Sequence, residues 1–184
     1  MAVTLVSGVT GVGLSSVCQA VRRGLGEEYK LINFGDVMLE QAATSGITTE
    51  RKDLSELSQT QTRRLQRRAG EFVAEEAQSA DILLSTHLAV ETSAGYIQGL
   101  PVEVLHDVSP TAFVLVEADP ETILERRRGS DRETREATER KISFEQDLNR
   151  SAALQYARDR NAPVRFIENE GGIEEAAERM ADTL

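Results

Sequence analysis

Two rhythms of apolar and polar residues alternate along this chain. Val3-Thr4-Leu5-Val6-Ser7 is a short β-branched run that stops at Gly8, and it predicts a first strand. From Leu14 to Leu25 the apolar residues Val17, Ala20, Val21 and Leu25 recur at helical spacing, with Gly26 as the stop. Tyr29 to Asn33 reads as strand two, and Asp36 as the cap of a helix running to about Ser45. A short helix over Thr49 to Ser58 and a long one over Gln59 to Ser79 follow. Asp81-Ile82-Leu83-Leu84-Ser85 is a third strand whose nearly continuous apolar run suits a buried parallel sheet. Thr86 to Gly99 reads as a loop, and Pro101 opens a short helix to about Val108. Ala112 to Glu117 is a fourth strand, and Asp119-Pro120 starts a helix through about Arg128. Gly129 to Thr138 is dense in charge and poor in apolar residues, so a mobile loop or lid is expected there. A helix over Phe144 to Asn161, a fifth strand over Pro163 to Glu168 and a closing helix over Ile173 to Leu184 complete the pattern.

Strands that alternate with helices predict an α/β fold of three layers. It has a five-stranded, mostly parallel sheet with helices on both faces. A chain of 184 residues suits a single domain with its own core. Ligands of such sheets bind beyond the carboxyl ends of the strands. Four segments fall at that edge: the loop after Ser7, the Asn33-Phe34-Gly35-Asp36 turn, the Ser85-Thr86-His87 turn and the stretch after Glu117.

Composition narrows the classes. The formal net charge of −10 argues against a general nucleic-acid binder. No apolar run approaches the ~20 residues that span a bilayer, so no membrane role is expected. Nothing at the N-terminus reads as a signal peptide. The lone Cys18 cannot form an internal disulfide, and a cytoplasmic location is expected. Only three of the 21 basic residues are lysine. A GC-rich genome accounts for that bias, and so does a salt-rich interior; both readings stay open. No His, Cys and Asp set has metal-ligand spacing.

Gly8-Val9-Thr10-Gly11-Val12-Gly13-Leu14-Ser15-Ser16 sits between a strand and a helix. Gly8 and Gly13 occupy the two glycine positions of the G-x-x-x-x-G-K-[ST] phosphate loop, and Ser15 occupies the hydroxyl position. Glycines let successive N–H groups turn inward on an anion, and the following helix adds its positive end. Ser15 can place a hydroxyl on Mg²⁺. Leu14 stands where a lysine would reach the phosphates. A dinucleotide-type glycine turn or a plain tight turn is the competing reading.

Several segments resemble the archaeal type of adenylate kinase, a branch of the P-loop nucleoside monophosphate kinases. They are the phosphate loop, Asn33-Phe34-Gly35-Asp36-Val37-Met38, Arg64-Leu65-Gln66 with Ala69-Gly70, Thr86-His87, Gly95-Tyr96 with Gly99-Leu100-Pro101, Ile123 to Arg127, and Asn149-Arg150. The resemblance covers nearly the whole chain. It implies a P-loop kinase fold with a short lid at about 129–140 and a monophosphate-binding segment at about 34–70. It implies phosphoryl transfer from ATP to AMP giving two ADP, assisted by Mg²⁺. The ATP site would be residues 8 to 16. Arg127, Arg132, Arg135 and Arg150 would grip the transferring group, and Asp36, Arg51, Arg64, Thr86 and His87 would face AMP. The type commonly carries a small residue instead of lysine at the Leu14 position, so Leu14 departs from it in size but not in lacking the lysine, and its members assemble as trimers.

Each role has a structural alternative. The lid arginines can simply offset Glu133, Glu136 and Glu139; Asp36 can be only a helix cap; His87 can be a satisfied loop histidine. The family's third strand usually ends in aspartate, and here that position is Ser85. Two rivals remain open: a kinase of the same fold acting on another monophosphate, and a nucleotide-binding regulatory module with little catalysis.

Overall fold

The computed structural model describes residues 1–26, 29–92, 95–129 and 137–184. Five strands form one sheet: β1 (Val3–Ser7), β2 (Tyr29–Asn33), β3 (Asp81–Thr86), β6 (Ala112–Glu117) and β7 (Val164–Glu168). Their order is β2-β3-β1-β6-β7. Every neighbouring pair is parallel. The sheet is therefore wholly parallel where the pattern of apolar runs predicted a mostly parallel one.

Side-chain alternation assigns the two faces. Leu5, Ile82, Leu84, Phe113 and Leu115 point to one core, shared with α2 (Phe34–Thr44), α3 (Gln59–Glu76), α4 (Val102–Val108) and α6 (Glu139–Arg160). Val6, Leu83, Val114, Val116 and Ile167 point to the other, shared with α1 (Leu14–Gly24), α5 (Pro120–Arg128) and α7 (Ile173–Ala181). Most of these strand residues are fully buried, and each such side chain contributes about 1.5–3 kcal/mol. Two packed cores fix the sheet rigidly, and its register aligns the site. Ser7 lies opposite Thr86 and Leu115, Asn33 opposite Ser85, and Glu117 opposite Glu168. Five carboxyl ends thus reach one edge together.

Four elements differ from the expected ones. The segment Thr86 to Gly99 is not only loop: Ala89–Thr92 (β4) pairs antiparallel with Gly95–Gln98 (β5). Helix α2 is capped by Asn33, whose side chain accepts from the Asp36 N–H, so Asp36 is not the cap. Helix α6 begins five residues before Phe144, because Thr138 accepts from the Lys141 N–H and caps it. The short element before α3 is a 3₁₀ turn at Arg51–Glu56 with no buried residue. The expected lid at 129–140 lies mostly outside the described residues. None of the helices is long and apolar enough to cross a membrane among the described residues.

Candidate active site

The phosphate loop connects β1 to α1, and two of its glycines, Gly11 and Gly13, adopt positive φ. Gly13 is the N-cap of α1, which has no side-chain cap and no acidic residue in its first turn. The first N–H groups of that helix are thus left for an anion. A side chain at Gly13 would meet the Asn169 Nδ2 at 2.6 Å, in addition to the strain of φ +89°.

Side chains from three other elements bind alternate carbonyls of this loop. His87 Nδ1 donates to the Gly8 carbonyl at 3.1 Å. Arg127 Nε donates to the Thr10 carbonyl at 2.7 Å. Val12 accepts twice, from Asn169 Nδ2 at 2.8 Å and from Arg126 Nη1 at 3.3 Å. With its carbonyls held from outside, the loop can turn N–H groups inward. His87 is reached by solvent but lies in a concave wall. Desolvation there pushes its pKa below the ordinary histidine value; the Gly8 bond opposes this, and the Arg51 charge adds to it. The lowered pKa favours the neutral ring, and the Gly8 carbonyl, which can only accept, places the proton on Nδ1.

The loop forms one wall of a cleft of about 780 Å³. Leu14, Ser15 and Arg126 line it on the side of the phosphate loop, and Ser85, Thr86 and His87 line it from the end of β3, the strand between β1 and β2. Gly35, Met38, Arg51, Leu54, Thr62 and Gln66 line it on the other. The anticipated residues distribute unevenly. Val9, Thr10, Gly11, Gly13, Ser16, Thr86 and His87 face the cleft, whereas Gly8 and the buried Val12 support it from behind. Arg51 lines the cleft and pairs with Asp36, both half-exposed. Arg64 is exposed on α3 and does not line it. Arg132 and Arg135 lie outside the described residues.

Arg127 is only 7% exposed and sits behind the loop. It also donates to Glu145 at 2.6 Å, and Glu145 in turn accepts from the Tyr96 hydroxyl at 3.2 Å. That chain ties the phosphate loop to the β4–β5 hairpin. Burial, then the Glu145 charge, pushes the Tyr96 phenol up to about 12. Arg150 grips both oxygens of Glu117, at the end of β6, at 2.8 and 2.6 Å. Its pKa is raised, chiefly by that bond. One residue earlier in α6, Asn149 accepts from the buried Ser7 hydroxyl at 2.7 Å, which fixes the strand end just before the loop.

The sequence reading missed Asn169 and its neighbour Glu170. Both line the cleft directly after β7. The strand-end rule that flagged four other segments applies to Asn169-Glu170-Gly171-Gly172 equally, and the paired glycines are its local sign.

Loop, cleft and sheet order define a kinase of the P-loop class. The shikimate kinase of Bacteroides thetaiotaomicron shares the fold, with a TM-score of 0.65 at 17% identity over 99% of this chain and 97% of that one. A family profile described as AAA domain matches residues 7–143. Much nearer relatives are adenylate kinases of archaea. That of Pyrococcus abyssi is 38% identical, and that of Thermococcus onnurineus 36%, each match spanning 99% of this chain and 94% of the relative. The adenylate kinase of Methanococcus vannielii is 35% identical, across 99% of this chain and 97% of the relative. The chain belongs to the adenylate kinase family.

Proposed function

We propose that this protein transfers a phosphoryl group reversibly between ATP and AMP, giving two ADP. One observation carries the reading: in a chain of this family, the phosphate loop and the Arg51 side face each other across a single cleft. Such a cleft allows direct in-line transfer without a covalent enzyme intermediate. The loop N–H groups and the start of α1 hold the triphosphate, and Arg51 holds the monophosphate, with its fork matched to phosphate oxygens. The 34–70 segment, with Thr86 and His87, forms the acceptor side. Arg150 is the cationic group we assign to the transferring phosphoryl, moving from Glu117 as the nucleotides bind. Arg127 holds the loop from behind rather than touching the phosphates.

Mg²⁺ fits the donors present. Among the described residues no group of three His, Cys, Asp or Glu could hold a metal, but the exposed Ser15 hydroxyl lines the cleft beside the phosphate loop. That suits an ion held mainly by phosphates and water. When bound, it would neutralise charge on the triphosphate. Ser85 lines the same wall and brings no charge, and its hydroxyl lies 3.5 Å from the Ile32 carbonyl. A cytoplasmic location and a homotrimeric assembly are parts of the same proposal and rest on the family alone.

A coupled assay with ATP and each of AMP, CMP, GMP and UMP tests the reading. Turnover is expected with AMP. Turnover with another acceptor alone would make the chain a different monophosphate kinase. ATP binding with no turnover of any acceptor, at low or high salt, would make it a regulatory module.

A further inference from the structure

The Val12 carbonyl of the phosphate loop accepts from two side chains. Asn169 Nδ2 and Arg126 Nη1 both donate to it, at 2.8 and 3.3 Å. Arg126 Nη2 also donates to the Asn169 carbonyl at 2.8 Å, so the two residues brace each other. Asn169 itself is fixed by its N–H bond to the Glu117 carbonyl at 2.8 Å, which extends the β6–β7 register by one residue. Asn169 is only 2% exposed, and its Oδ1 is buried with no hydrogen-bond partner among the described residues. An orphaned buried amide oxygen is destabilising. An apolar residue would avoid that cost, so the amide is retained here for what its Nδ2 does.

No peptide bond among the described residues is cis. In a trans peptide the carbonyl and the next N–H point in opposite directions. Holding the Val12 carbonyl from outside therefore directs the Gly13 N–H toward the cleft. The next residue is Leu14, where the usual lysine is missing, so the loop depends more heavily on its N–H groups. Resting on the phosphate-loop reading above, we infer that Asn169 is a positioning residue for the triphosphate. It acts through the Val12–Gly13 peptide, without touching the ligand, and joins that peptide to the Glu170–Ile173 turn lining the same cleft.

Inorganic tripolyphosphate is the test ligand, because it reports on the loop without a base. Asn169→Leu and Asn169→Asp each remove the donor, one without charge and one at constant shape. Both should weaken tripolyphosphate binding at least tenfold by calorimetry and raise KM for ATP, while KM for AMP stays within twofold. Tripolyphosphate affinity within twofold of the parent in folded Asn169→Leu protein would overturn the inference. So would a loss confined to Asn169→Asp, since that would be charge repulsion alone. A merely structural amide would lower the melting temperature and leave the folded protein's affinity unchanged. Should neither variant fold, the parent protein decides. Its Gly13 amide resonance should shift strongly when tripolyphosphate is added, and an unmoved resonance would overturn the inference. Failure to phosphorylate AMP would defeat the kinase reading and leave these binding results standing.

Discussion

The two walls of the cleft are built differently. On the donor wall, alternate loop carbonyls are gripped by buried or half-buried side chains from β3's end, α5 and the turn after β7. On the acceptor wall, the main cation is Arg51, carried on a 3₁₀ turn with no buried residue and paired to an exposed Asp36. Buried, mutually braced groups resist rearrangement, whereas exposed ion pairs contribute little and exchange easily. The loop wall is held by the protein's own groups, and on the proposed reading the Arg51 wall is completed by its ligand. The difference follows from the fold: the phosphate loop lies over the centre of the sheet, and the Arg51 turn lies outside it.

The largest test of that contrast is Gly13→Val. It should lower ATP affinity by more than about 100-fold, since the side chain meets Asn169 and cannot adopt φ +89° without strain. Calorimetric titration with ATP measures this, and near-normal affinity would remove the preformed donor wall. Arg127→Met comes next. It strips the partner from Glu145, which is 14% exposed, and should cost about 3–5 kcal/mol in urea unfolding. Arg150→Ala should reduce kcat about 100-fold while KM for both nucleotides changes only a few-fold. Steady-state kinetics decide it, and equal losses in kcat and affinity would make Arg150 a uniform binding residue. Arg51→Ala sharpens the other side. It should raise KM for AMP about tenfold, yet change stability by less than about 1 kcal/mol, because the Asp36 pair is exposed. An unfolding cost matching that of Arg127→Met would erase the distinction between the walls.

The smallest effect concerns pH. The folded ring of His87 has a lowered pKa, so the unfolded chain takes up its proton first as pH falls. Stability should be undiminished above about pH 6.5, the ordinary imidazole value, and decline below it. His87→Gln should flatten that decline in melting temperature, and an identical slope in the variant would mean the ring plays no part.

Much of this was legible in the sequence because strong local signals coincided. β-branched runs ending at Gly8 and near Glu117, and the helical period after Leu14, marked strands and helices whose tertiary packing agrees with their local preference. The hairpin escaped notice because its strands have four residues each and carry Glu91 and Gln98 instead of an apolar run. Asp36 looked like a cap by residue type, but Asn33 is equally suited and stands one helical turn earlier. Arg126 and Arg127 were indistinguishable as neighbours in a basic run. Only their roughly 100° separation around α5 sends one to the cleft and the other behind the loop. Asn169 had no sign of its own beyond the strand end and the paired glycines after it, since its contact with the loop depends on where β7 ends in space.

The shared carboxylate of Glu145 has an optical consequence. The chain contains three tyrosines and no tryptophan, so phenol emission is not masked by indole. Tyr96 donates its hydroxyl to Glu145 and meets the Phe144 ring edge-on at 5.6 Å. A phenol bonded to a carboxylate loses emission to proton transfer in its excited state, and one released from that bond regains it. Any ligand that draws Arg127 and Glu145 apart, or shifts the hairpin, would therefore be recorded as a change in brightness. Tyr96 is thus a label-free reporter of the link between the phosphate loop and the β4–β5 hairpin.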